Sequence, residues 1–99
     1  MKRVKAVKMP AWLGFMFASR KSIKKTIYFD LKKEKKVCLH MIFVFFPLNI
    51  YLLDKDKKVI EIKQDLKPLH FYTSFKKAQY VIESPQKLNL RKGDRVTFI

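Results

Sequence analysis

Apolar and polar residues along this chain alternate with a period of two far more often than they follow helical spacing, and that period predicts strands. Val4 and Ala6, with Met9 beyond them, alternate with Lys5 and Lys8, which predicts a short first strand with one wet face. Its lysines suit a sheet edge, where they oppose edge-to-edge pairing. Pro10 fits the first position of a helix. Ala11, Trp12, Leu13, Phe15, Met16 and Phe17 then give one or two turns that are apolar nearly all round, with Gly14 allowing close packing. This reads as a helical plug over the core, since an interfacial membrane helix carries a charged face along its length. After the basic residues 20–25, TIYFDL at 26–31 predicts a strand, KKEKK at 32–36 an exposed turn, and the residues from Val37 its hairpin partner.

From Val37 to Asp54 the chain is apolar over roughly 17 residues, near the lower limit for a spanning helix. Val37, Ile42, Phe43, Val44, Phe45 and Phe46 are strand formers, however, and Pro47 would break a helix near its middle. The stretch therefore reads as a long strand with a proline bend and not as a transmembrane segment. Cys38, His40, Ile42, Val44 and Phe46 share one face, and Leu39, Met41, Phe43 and Phe45 the other; past Pro47, Leu48, Ile50 and Leu52 oppose Asn49, Tyr51 and Leu53. With both faces apolar the strand has to be central and covered on each side, which requires a second layer.

The turn at DKDKK lacks the glycine that a positive φ favours, so backbone strain is expected at Asp56 or Lys57. Residues 59–63 return as a hairpin partner, with Ile60 and Ile62 inward and Glu61 outward. Residues 64–77 read as an irregular loop, because Asp65, Pro68, Thr73 and Ser74 are loop formers; Leu66, Leu69, Phe71 and Tyr72 call for cover, so the loop is expected to fold across the sheet. Residues 78–83 form another strand. Ser84 and Pro85 signal a helix of one or two turns to Leu90, and Lys92, Gly93 and Asp94 make a tight turn into a last strand over 96–99. The elements add up to a mainly β fold, a β-sandwich or jelly-roll-like domain with two short helices.

Length and composition fit this picture. At 99 residues the chain makes a single domain over 1–99, and with 48% hydrophobic and 14% aromatic residues it can fill one core. The charge is the main functional lead: 23 Lys+Arg against 8 Asp+Glu leave a formal net charge of +15, which attracts phosphate polyanions or an anionic bilayer. The split of 19 Lys to 4 Arg tempers it, because the guanidinium fork serves bidentate phosphate and base-edge recognition, whereas lysine excess also follows from proteome bias. The one cysteine, Cys38, forms no intramolecular disulfide, so a reducing cytoplasm is expected. MKRVKAVK followed by MPAWLGFMFAS imitates a signal peptide, but Lys8 and Pro10 interrupt it and a small-residue cleavage pattern is missing.

HMIFVFFPLNIYLLDKDKKVIEI at 40–62, LKPLHFY at 66–72, YVIESP at 80–85 and LNLRKGDRV at 88–96 together resemble the domain of unknown function 192 family, in its compact archaeal form. GFMF at 14–17 is similar to the glycine-methionine-phenylalanine signature near that family's start, and cleavage near Ser19 would then remove part of the core. The resemblance covers nearly the whole chain. It implies an all-β sandwich or jelly-roll-like domain with short helices, and no established activity. Gly14, Met16, Phe17, Pro47, Asp54, Pro68, Tyr80, Gly93 and Asp94 are the matched positions, most of them readable as turns and packing. Two departures stand out: Asn49 occupies a place where the family usually has aspartate, and Lys57 one where it usually has glycine.

The candidate chemistry is sparse. Cys38 and His40 lie two apart on one strand face, and His70 is a third donor in principle, but zinc needs a fourth ligand at recognisable spacing, so no metal and no cofactor is expected. As a thiolate nucleophile Cys38 lacks an orienting acid and an oxyanion donor. Asp54 and Asp56 flank a turn, where aspartate commonly bonds its own backbone. No phosphate loop or dinucleotide fingerprint is present. The remaining features are lysines, Lys21, Lys24, Lys25, Lys32, Lys33, Lys35 and Lys36, then Lys67, Lys76 and Lys77 beside His70, Phe71 and Tyr72, where exposed aromatics along a basic groove would stack bases. The leading reading is a small cytoplasmic, non-enzymatic binding or accessory module, with His40, Asn49, Asp54, Lys67, His70, Phe71 and Tyr72 as its binding residues. The alternative is sequence-tolerant binding of nucleic acid or another polyanion through Lys21, Lys24, Lys25, Lys76 and Lys77.

Overall fold

The computed structural model describes residues 1–9, 26–40, 47–67 and 70–99, and among these strand-forming residues in alternation give nine strands. They are β1 (Lys2–Val4), β2 (Val7–Lys8), β3 (Ile27–Lys35), β4 (Cys38–His40), β5 (Leu48–Leu53), β6 (Val59–Leu66), β7 (Phe71–Thr73), β8 (Ala78–Ser84) and β9 (Val96–Phe98). A five-stranded sheet has the order β2-β3-β8-β5-β6, and two ribbons, β1-β9 and β4-β7, complete the described strands. The fold is mainly β.

β5 lies inside the five-stranded sheet with all six residues buried, as its two apolar faces require. The alternation past Pro47 sorts the core into two clusters. Leu48, Ile50 and Leu52 join Ile27, Phe29, Val37, Leu66, Ala78 and Val81 on one face, against which Leu39 of β4 and Tyr72 of β7 pack. Tyr51 and Leu53 join Val4, Val59, Ile82, Leu90 and Val96 on the other, beside Phe98 of β9. The β4-β7 ribbon therefore lies against one face of the sheet and the β1-β9 ribbon against the other.

Several sequence expectations are corrected. The first strand is two: β1 runs parallel to β9, and β2, at the sheet edge, parallel to β3. Residues 32–36 do not reverse the chain, because Lys32 takes a left-handed φ of 71° with its amide on the Asp30 carboxylate at 2.8 Å, and the strand bulges and continues. β3 consequently pairs with β2 and β8, while β4 pairs with β7, so among the described residues no hairpin joins 26–31 to those after Val37. The loop over 64–77 contains strand structure, the end of β6 and β7.

The helix expected over 84–90 is absent. The Ser84 hydroxyl accepts the Gln86 amide at 3.1 Å, and the buried Tyr51 hydroxyl accepts the Leu88 amide at 2.9 Å. The Leu88 amide is thus taken by a hydroxyl 37 residues away, and residues 85–90 run as bends and coil. No helix occurs among the described residues, so none there is long and apolar enough to cross a membrane. The helix read over 10–17, Lys21, Lys24, Lys25, the run 41–46, Pro68 and Leu69 lie outside the described residues.

The strained turn is where a glycine was missed. Lys57 accepts a φ of 62° after a tight turn in which its amide bonds the Asp54 carbonyl at 3.0 Å. At the later turn Gly93 supplies φ 95°, and the Asp94 amide bonds the Arg91 carbonyl at 3.1 Å.

Candidate functional site

Two chain segments meet at one end of the β4-β7 ribbon. Lys35 pairs with Ala78 across β3 and β8. Val37 and Ser74 bond in both directions, the Ser74 amide to the Val37 carbonyl at 2.8 Å and the Val37 amide to the Ser74 hydroxyl at 2.9 Å. These ties bring Lys35 and Lys36 beside Lys76 and Lys77, so exposed lysines distant in sequence share one corner. The ion pairs among the described residues are Lys32–Asp30 at 3.9 Å and Lys67–Asp65 at 3.1 Å, and neither draws on this corner.

A buried carboxylate underlies that corner. β6 bulges where Leu53 faces Val59 and Leu52 faces Glu61, leaving Ile60 as the extra residue. The bulge defeats simple alternation, so Glu61 is buried rather than outward, while Ile60 and Ile62 pack on opposite clusters. The Glu61 carboxylate accepts the Phe75 and Lys76 amides at 3.0 Å and the Tyr72 hydroxyl. Burial alone would raise its pKa, but the Tyr72 hydroxyl, the two amides and the nearby Lys36 ammonium hold it below the usual value. Burial and the same carboxylate push the Tyr72 phenol up to about 12. Lys36 Nζ in turn donates to the Phe75 carbonyl.

Phe75 is thus bonded at both its amide and its carbonyl, yet its side chain is 80% exposed. Along β7 the alternation turns Tyr72 inward and leaves Phe71 71% exposed, with Thr73 exposed and its hydroxyl on Cys38 Sγ at 3.7 Å. In register His40 pairs with Phe71, Leu39 with Tyr72 and Cys38 with Thr73. His70 is exposed, with its amide on the Lys67 carbonyl at 3.2 Å, and no three His, Cys, Asp or Glu side chains among the described residues group as metal ligands.

The structure therefore brings Phe71, Tyr72, His70 and the backbone of His40 onto one ribbon, with Lys76 and Lys77 at its end. It separates them from Asn49 and Asp54. Asn49 is buried at a second bulge, its Oδ1 accepting the amide of Asp65, which has φ 56°, at 3.0 Å, and its Nδ2 donating to the Ser84 carbonyl at 3.4 Å. Asp54 Oδ1 caps its turn through the Asp56 and Lys58 amides at 2.8 and 3.0 Å. Sequence reasoning missed Phe75, whose place between Ser74 and two lysines was the available signal, and Glu83, the acid in the apolar run YVIES. Glu83 is buried in β8 between Ile27 and Ile50, and burial pushes its pKa up to about 7.

Residues 7–98 match the model of DUF192, a family described as an uncharacterized ACR. The chain belongs to that family. A UPF0127 protein of Thermococcus kodakarensis is 29% identical over 84 residues, covering 79% of this chain and 53% of the relative, so this DUF192 chain spans about half the length of the curated relative it matches. Among solved structures, a protein of unknown function from Novosphingobium aromaticivorans aligns with a TM-score of 0.72 at 18% identity, over 89% of this chain and 71% of that one. A protein from Sinorhizobium meliloti described as a candidate transcription regulator aligns with a TM-score of 0.65 at 20% identity, over 78% and 66%. At these identities the DUF192 chain shares their fold, and DUF192 is a family of uncharacterised function.

Proposed function

We propose that this DUF192 chain is a non-enzymatic binding module of the cytoplasm, built as a β-sandwich, whose partner is a polyanion engaged at the corner formed by Lys35, Lys36, Lys76 and Lys77. The observation that carries this reading is the convergence of those lysines through the Lys35–Ala78 register and the Val37–Ser74 bonds, in a chain of formal net charge +15. Like charges gathered by backbone ties repel one another, and an anionic partner relieves that repulsion while releasing its own counterions. The polar groups nearest the corner, Glu61 and Ser74, are engaged in holding backbone, which supports a binding role over a catalytic one. The exposed thiol of Cys38 accords with a reducing compartment.

Titration of fluorescent inorganic polyphosphate with the chain tests the reading. At about 50 mM salt and low-micromolar protein, binding is expected, with log K falling linearly as log salt rises. Lys35→Gln, Lys76→Gln and Lys77→Gln together should weaken it and flatten that slope. Absence of binding at this salt removes the proposal.

A further inference from the structure

Resting on that reading, we infer that the polyanion is a single-stranded nucleic acid whose bases stack on Phe71 and Phe75 while its phosphates meet Lys76 and Lys77. The two phenylalanines, 71% and 80% exposed, sit on the same short segment as the lysines. Two exposed aromatic rings beside lysines on one segment offer a stacking surface next to positive charge, and both are placed on fixed backbone. Phe71 is in register with His40 within the ribbon, and Phe75 is held by the Glu61 carboxylate at its amide and the Lys36 ammonium at its carbonyl. Three residues lie between them, a separation of at most about 13 Å when extended, so both rings fall within reach of one short nucleic-acid strand.

The combination argues for unpaired bases. A charge-only ligand such as polyphosphate uses the lysines and leaves the rings in water, and a duplex hides its base faces in its own stack. A single strand presents a phosphate backbone and free π-faces together, and each base stacked on an aromatic side chain adds affinity without sequence preference. The arginine-poor composition, which weighs against base-edge readout, does not oppose this mode, because stacking and phosphate contact need no bidentate fork.

Fluorescence anisotropy with a labelled oligothymidylate, the same sequence annealed into duplex, and polyphosphate of matched charge separates the possibilities. The single strand should bind at least tenfold tighter than either competitor. Phe71→Ala and Phe75→Ala should each weaken single-strand binding by roughly tenfold, within the range for loss of one stacked base. They should leave polyphosphate binding within twofold. Equal affinity for oligonucleotide and polyphosphate, tighter duplex binding, or insensitivity to both phenylalanine variants overturns the stacking inference while the polyanion reading stands. Failure of all three ligands to bind at about 50 mM salt overturns both, because contacts of this type are strongest at low salt.

Discussion

The Tyr72 hydroxyl donates to the carboxylate of Glu61, a buried side chain 11 residues earlier on β6 of the five-stranded sheet. The same carboxylate accepts the Phe75 and Lys76 amides. One anion thus fixes Tyr72 facing the core and the backbone that carries Phe75 out into water. The candidate contact face depends on a charge that is itself hidden from the ligand.

Glu61→Gln keeps the shape of the side chain and removes its charge. Since hydrogen bonds to a charged acceptor contribute about 1.5–3 kcal/mol, the variant should lose about 2 kcal/mol of stability, and Tyr72→Phe about 1 kcal/mol. Urea unfolding of both single variants and the double variant checks this. A coupling of about 1 kcal/mol is expected between two residues in direct contact, and additive losses would show that the pair does not act as a unit.

Glu61 and Glu83 act on stability in opposite directions as pH changes. Glu61 is held below its ordinary 4.5, so its contribution is present above that value and lost as pH falls through the lower folded-state pKa. Glu83 is raised to about 7, so its ionisation carries no penalty below 4.5, and stability declines as pH rises from there through about 7, by up to about 3 kcal/mol. Glu83→Gln should therefore shift the urea midpoint upward at pH 8 and little at pH 4. A pH 8 gain no larger than the pH 4 gain would show that Glu83 bears no ionisation penalty.

Lys57 occupies a left-handed conformation, and its ammonium lies 5.6 Å from the Tyr80 ring centroid and 5.8 Å from that of Phe98. Asparagine tolerates this φ and gives up only the cation–π contact, so Lys57→Asn should cost under about 1 kcal/mol. A β-branched side chain clashes there, and Lys57→Val should cost about 2 kcal/mol. Thermal midpoints of the two variants decide the matter, equal midpoints counting against backbone strain at this turn.

Asn49 works through a backbone amide. With Asn49→Ala the Asp65 amide loses its side-chain acceptor at the β6 bulge, and a loss of about 1 kcal/mol is expected. Amide exchange reports this directly. The Asp65 proton should exchange at least fivefold faster in the variant while the amides of β8 keep their protection, and an unchanged Asp65 rate would remove Asn49 from the role of bulge acceptor.

Much of the fold was legible because alternation is a local property. Leu48, Ile50 and Leu52 against Tyr51 and Leu53 predicted two core faces, and both are present; the missing glycine at DKDKK pointed to a strained Lys57, which has φ 62°. The candidate site was half legible. PLHFY and its lysines drew attention to the ribbon that holds Phe71, but Asn49 and Asp54 were polar for reasons internal to a bulge and a turn.

Local periodicity and composition determined that the chain is mainly β, strongly basic, and central at residues 48–53. Only tertiary structure decided which segments pair, because register rests on contacts between residues far apart: the Lys32 bulge that carried β3 past its expected turn, the Tyr51 hydroxyl that took an amide from an expected helix, and the β6 bulge that turned Glu61 inward. The same long-range contacts put Lys35 and Lys36 beside Lys76 and Lys77 and opened Phe75 to water, since no sequence period records where two distant strands meet.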